Sequence, residues 1–251
     1  MPLTLTFSGV LEATFLLFRR NFRTFFLIGL LSQIPLLVVE VVLYSLVPPS
    51  AMARPVTSFL VEGVPTFLTS VLYRAAIIRA AEGPYEGRAP SPRWAVRGAL
   101  AVYGRLALAA ALLLIGTAIL VVGFAAPAVW FYFACVLVSP VVVLEHSGPI
   151  AALRRAAALS RGAWARIMGV VLITWIVTSA VQGLLSLAAR AALPAATTAE
   201  GLLAGVPSAV IGCVAITLIG ALSPIALTVL YHDRIAVRSA SRADTVRDGS
   251  L

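Results

Sequence analysis

From Leu106 to Leu144 the chain carries no charged side chain, and this is one of several apolar runs separated by clusters of arginine. About 20 apolar residues are what a helix needs to cross a hydrocarbon core of roughly 30 Å. In lipid the backbone must satisfy its own hydrogen bonds, so such runs are read as helices. The composition agrees: 61% of residues are hydrophobic and 12% charged, with a mean hydropathy of +1.01. Soluble domains lie nearer half apolar and a quarter charged. So few polar groups cannot cover a water-facing surface of this size. The expected class is an all-α integral membrane protein.

Six spans are expected, at about 24–47, 56–80, 106–124, 128–144, 163–189 and 207–231. The first, about 24 residues, is long enough to cross with some tilt. Three shorter helices precede them in pairs. Phe7–Phe18 (FSGVLEATFLLF) ends at Arg19, Arg20 and Arg23; Arg93–Arg105 (RWAVRGALAVYGR) and Gly148–Gly162 (GPIAALRRAAALSRG) are also arginine-bearing. Too short to span, they read as amphipathic helices lying in the interface. The fold expected is three helical hairpins, each preceded by an interfacial helix, in one transmembrane domain over 1–232. A polar, flexible tail is expected over 233–251.

The arginines set the orientation. With the N-terminus inside, seventeen of the nineteen lie on or near the cytoplasmic face, and only Arg54 and Arg190 lie outside. That asymmetry places both termini in the cytoplasm. There is no lysine, and the wealth of Ala, Gly and Arg suggests a bacterial inner-membrane protein. The net charge of +9 fits anionic headgroups better than nucleic acid, since no soluble domain presents a basic face. Residues 1–18 have no basic residue ahead of their apolar stretch and do not read as a signal peptide. Cys135 and Cys213 lie in apolar runs, where packing is the ordinary role.

The order of short basic helix, then hairpin, recurs three times, giving a triple repeat over 7–80, 93–144 and 148–231. Arg23, Arg105 and Arg166 mark the hand-over to each hairpin. The returning helices carry Pro65, Pro140 and Pro224. After Pro65 the chain reads TFLTSVLYR and after Pro224 IALTVLYHD. Such prolines free a backbone carbonyl and kink a span. They either line a central cavity or only shape the bundle, and the second is expected.

The segment SPVVVLEHSGPIAALRRAAALSRGAWARIMGVVLI (Ser139–Ile173) resembles the bacterial family named for the membrane domain of glycerophosphoryl diester phosphodiesterases. The closing LYHDR (Leu230–Arg234) resembles that family's closing Leu-Tyr-Tyr-Asp-Leu-Arg. The sequence departs at Ala156, where a serine is usual, and after Asp233, where Arg234 follows directly. The resemblance implies an integral membrane domain. The family's phosphodiesterase activity belongs to a separate soluble barrel, for which spans leave no room here, so no catalytic activity is implied.

Glu40 and Glu62 fall at one depth, roughly 10 Å below the outer surface. Two intramembrane acids can bind a cation or a proton; pairing with Arg54 or Arg190 is the plainer expectation. Glu145 and His146 end span four, and His232 and Asp233 end span six. With Arg74 they form a candidate cytoplasmic-face cluster, which as a set of imidazoles and carboxylates can hold a divalent metal. Salt bridging to Arg154, Arg155, Arg74 or Arg234 is expected instead, with no metal and no cofactor. Arg19, Arg20, Arg23, Arg93, Arg97, Arg154, Arg155 and Arg161 are expected to contact lipid headgroups. No GxSxG, HExxH, phosphate-loop or dinucleotide motif occurs. The function expected is non-enzymatic: an accessory or scaffold subunit that organises anionic lipid or docks with other membrane proteins. The alternative is a small permease component using Glu40 and Glu62.

Overall fold

The structure, a computed structural model, describes residues 6–46, 55–192, 213–214 and 217–248, and among them it is all helical. The elements are α1 (Phe7–Arg20), α2 (Phe22–Leu46), a short α3 (Pro55–Ser58) running through a π-helical turn (Phe59–Gly63) into α4 (Val64–Glu82), α5 (Pro92–Gly123), α6 (Ala125–Cys135), α7 (Val138–Glu145), α8 (Pro149–Ser160), α9 (Trp164–Ala192) and α10 (Leu222–Asp248). Four stretches are long and apolar enough to cross a membrane: Phe22–Val39, Pro92–Gly123, Ala125–Glu145 and Trp164–Leu185. The expected second span, 56–80, is interrupted by the π turn and carries Arg74 and Arg79. The start of the expected sixth span, at 207–212, and its residues 215–216 lie outside the described residues.

Local chemistry sets the helix ends. Thr6 caps α1 by accepting a hydrogen bond from the Gly9 N–H at 3.2 Å, and Arg19 and Arg20 sit at the negative end of its dipole. Asn21 makes a one-residue corner into α2, its Nδ2 donating to the Leu17 carbonyl. All three repeat prolines stand at a helix start, not inside a helix. Pro65 is the second residue of α4, Pro140 the third of α7 and Pro224 the third of α10. Proline lacks the N–H that would reach back four residues, and its ring clashes with the carbonyl there. The chain therefore breaks just upstream: at the π turn, at Val136–Leu137 and at Gly220–Ala221. The expected fourth span, 128–144, is thus two helices. Pro35, by contrast, is carried within α2.

Two expectations are corrected. Arg93–Arg105 is not a separate interfacial helix; it is the first three turns of α5, 32 residues long. Ala95, Ala99, Val102, Leu106 and Ala109 form one buried stripe at alternating spacings of four and three, continuous through Arg105. That stripe packs on α4, so a bend at Arg105 would break it. Nor is the tail flexible from Asp233: α10 runs on to Asp248, with Asp233 and Arg234 buried.

The short basic segments pack in a cycle. α1 lies on α9 and α10, the first turns of α5 lie on α4, and α8 lies on α6 and α7. Each covers the hairpin of the preceding unit, and the first covers the last. The core runs through the centre, with Val10, Ile77, Leu137, Leu159, Ile167, Ile225 and Leu230 at 0% exposure. Close approach is made at glycines. A Cβ at Gly169 would meet the Phe7 ring at 2.8 Å, one at Gly116 the Phe131 ring at 3.0 Å, and one at Gly29 the Thr217 Cα at 3.0 Å.

Candidate functional site

The arginine-rich end is a set of polar locks. Arg166 at the start of α9 pairs with Asp233 of α10, Nη1 to Oδ2 at 3.0 Å, and the carboxylate side chain is 0% exposed. Arg234 donates from Nε to the Leu159 carbonyl and from Nη2 to the Arg161 carbonyl, both at 3.1 Å. Arg238 donates from Nη2 to the Ala158 carbonyl. Leu159 and Ala158 belong to the last turn of α8, whose final carbonyls have no partner in their own helix. Two guanidinium groups of α10 therefore cap α8, charge and donors both matching the helix end. Burial lowers the Arg234 guanidinium from its ordinary pKa, and the adjacent Asp233 carboxylate opposes that shift.

A second lock joins three more elements. Glu145 accepts from Arg155 Nε at 3.1 Å and from the Tyr231 hydroxyl at 3.0 Å. His232 Nε2 lies 2.7 Å from Glu82 Oε2, and its ring stacks on Tyr85 at 4.1 Å between centroids. Burial and the nearby Glu82 raise the Tyr85 phenol above its ordinary pKa, keeping it neutral against the imidazole. His146 takes a left-handed φ of 52° that ends α7, and its carbonyl accepts from Arg105 Nη1 at 3.0 Å.

The candidate cytoplasmic-face cluster is thus only partly brought together. Glu145, His146, His232 and Asp233 do lie at one end, but in separate pairs with Arg155, Glu82 and Arg166. No group of three or more metal-ligating side chains forms among the described residues. Arg74 is not in the cluster. It lies eight residues before the end of α4, about 12 Å deeper along the helix, beside a cavity described below. The side chains of Glu40 and Glu62 lie outside the described residues. The Tyr103 hydroxyl donates to the Leu68 carbonyl at 3.2 Å, joining α5 to α4. Trp94 lies under the Arg79 guanidinium, 5.3 Å from the ring centre. Cys135 and Cys213 are not joined in a disulfide, and Cys135 is buried.

All eight arginines assigned to headgroups, Arg19, Arg20, Arg23, Arg93, Arg97, Arg154, Arg155 and Arg161, are exposed. Beside them, the C-terminal half of α1 and the 83–90 loop enclose a groove of about 540 Å³. Leu16 and Leu17 give it an apolar wall, and Arg20, Asn21 and Arg88 a polar rim. Arg88 also lies 3.8 Å from Glu86 in an open pairing.

Sequence reasoning passed over Glu82, Tyr85 and Arg238, and it took Arg105 and Arg166 only as hand-over points. Arg166 and Asp233 are 67 residues apart, and nothing local to either points to the other. The only signal for the α8 cap was the spacing of Arg234 and Arg238, one helical turn, on a tail that did not read as a helix.

Four long apolar helices, packed helix on helix, define a multi-pass helical membrane protein. Comparison with protein-family models, with curated proteins and with solved structures finds no match to the chain.

Proposed function

We propose that this is a non-enzymatic membrane protein of the inner membrane, with its arginine-rich end in the cytoplasm, that gathers anionic phospholipid around itself and around membrane-protein partners. The family resemblance read from Ser139–Ile173 and Leu230–Arg234 belongs to the same proposal. One observation carries the reading: eight exposed arginines on α1, α2, α5 and α8 and at the corner after α8, on elements packed against the bundle. A guanidinium near an anionic surface contributes about 1 kcal/mol. Held in a fixed array, several act on neighbouring headgroups with little ordering cost left to offset. The groove beside Arg20 and Arg88 offers such a headgroup an apolar wall for the adjoining acyl chain.

The test is native mass spectrometry of lipid retained in a mild detergent containing equal phosphatidylglycerol and phosphatidylcholine. The wild type retains phosphatidylglycerol preferentially. Replacing Arg19, Arg20, Arg23, Arg154 and Arg161 with Gln abolishes that preference while the protein stays folded. A preference unchanged in this variant refutes the reading.

A further inference from the structure

Beyond the arginine belt, the geometry points to a second site: we propose that a cavity inside the bundle, centred on Arg74, binds one phosphate-type oxyanion at membrane depth. The cavity is about 240 Å³ and lies where the three returning segments meet α9. Ser70 and Arg74 come from α4, Ser139 from α7, Ser223 from α10 and Thr178 from α9, with Tyr132 of α6 alongside. Counted back from Glu145 and Tyr231, Ser139 and Ser223 are about 9 and 12 Å below the polar locks. That depth is within the hydrocarbon core when the locks stand at the headgroups.

An arginine at that depth is costly unless something answers its charge. The four ion pairs among the described residues involve Glu86, Glu145, Asp233 and Glu82, and none includes Arg74. Among the described residues no acidic side chain lines the cavity; the polar side chains there are hydroxyls and one guanidinium. Glu62, twelve residues from Arg74, is about 18 Å away along α4 and the turn before it. Among the described side chains no carboxylate answers Arg74, and on this proposal the counter-charge is a ligand's.

The walls suit an oxyanion. A guanidinium offers a planar fork of donors to phosphate oxygens. The hydroxyls of Ser139, Ser223 and Tyr132 can donate to the oxygens the fork does not reach, whereas those of Ser70 and Thr178 donate to the Phe67 and Thr174 carbonyls of their own helices. Ser139 and Ser223 are also second residues of α7 and α10, both begun afresh by the proline breaks, so the positive ends of two helix dipoles adjoin the same space. Those ends add to the Arg74 field and do not define the site by themselves. Access is lateral: Trp175 on the cavity wall is 64% exposed, and Arg74 itself is exposed. A phosphate on a lipid entering sideways and a free phosphate present the same chemistry here.

The experiment uses the full chain in mild detergent with two probes, dihexanoyl phosphatidic acid and inorganic phosphate. Bound adducts are counted by native mass spectrometry, and thermal stabilisation is read in parallel. The wild type binds one equivalent, Arg74→Gln binds at least tenfold more weakly, and Arg74→Lys lies between. The Ser139→Ala/Ser223→Ala pair, which keeps the charge, weakens binding several-fold and covers the case in which Arg74→Gln does not fold. Binding of phosphatidic acid alone assigns the site to lipid, and saturable competition by inorganic phosphate assigns it to a free anion. Equal binding of both probes by wild type, Arg74→Gln and the serine pair overturns the proposal. The belt variant with Arg19, Arg20, Arg23, Arg154 and Arg161 replaced retains this single site, so failure of one proposal is distinguishable from failure of the other.

Discussion

Replacing Arg234 with Met removes one of the two guanidinium clamps between α10 and α8 while keeping most of the side-chain volume. Arg234 is 8% exposed and makes two bonds at 3.1 Å, to the carbonyls of Leu159 and Arg161. A hydrogen bond to a charged group contributes roughly 1.5–3 kcal/mol. Arg161 is an exposed corner where water can replace the lost donor, so the lower half of that range applies to it. With both taken at the bottom of the range, the two together give about 3 kcal/mol. For a chain of this length each kcal/mol moves the midpoint by roughly 2–4 °C, so Arg234→Met should melt about 6–12 °C lower. The assay follows from the structure: Cys135 is 4% exposed and unpaired, so a thiol-reactive fluorogenic dye reports its exposure on heating. A Cys213→Ser background removes the other thiol. Arg154→Met is the control, an exposed arginine of α8 with no bond to α10, and should move the midpoint by about 2 °C or less. If Arg234→Met behaves like Arg154→Met, the clamp does not hold the two elements and the capping argument fails.

Arg166→Ala leaves the Asp233 carboxylate buried without its guanidinium and should cost about 2–4 kcal/mol, whereas the double variant with Asp233→Asn should recover part of that; purely additive melting shifts would deny the coupling. Gly169→Leu drives into the Phe7 ring, already 2.8 Å from a Cβ placed there, and should unseat α1, read as faster amide exchange confined to residues 7–20. His146→Gly relieves a left-handed backbone at φ 52° and should raise the midpoint by about 1–4 °C, the effect of 0.5–1 kcal/mol; a lower midpoint would mean the imidazole contributes a contact of its own.

The helical class and the arginine-rich end were legible because they rest on one-dimensional signals, charge-free length and clustered Arg. The packing was not, because its determinants are pairwise and distant. Arg93–Arg105 shows why. Read alone it is a short amphipathic segment with arginines at both ends, and nothing in its own residues says that its apolar stripe continues in phase through Leu106 and Ala109. Phase with the next segment, not amphipathicity, decides whether a helix lies flat or runs on. The tail failed for a related reason: Asp233 and Arg234 look like surface charges, and only α8 and Arg166 from elsewhere in the chain satisfy them.

The three prolines illustrate what pattern can and cannot locate. Their recurrence was visible, and so was the choice between a cavity and mere bundle shape. What the sequence hides is that each proline starts a helix, so that the breaks fall upstream and the first turns of α7 and α10, not their middles, face the centre. Arg74 then changes meaning. Nine residues after Pro65 it reads as the inner end of a span, to be paired with the acids of the cytoplasmic cluster. But Glu145, Glu82 and Asp233 are taken by Arg155, His232 and Arg166. A cation whose expected partners are all engaged elsewhere, among hydroxyls and helix starts, makes the wall of this cavity electropositive. The acids Glu40 and Glu62 directed the permease reading toward cations, whereas the charge in the described part of the core favours an anion.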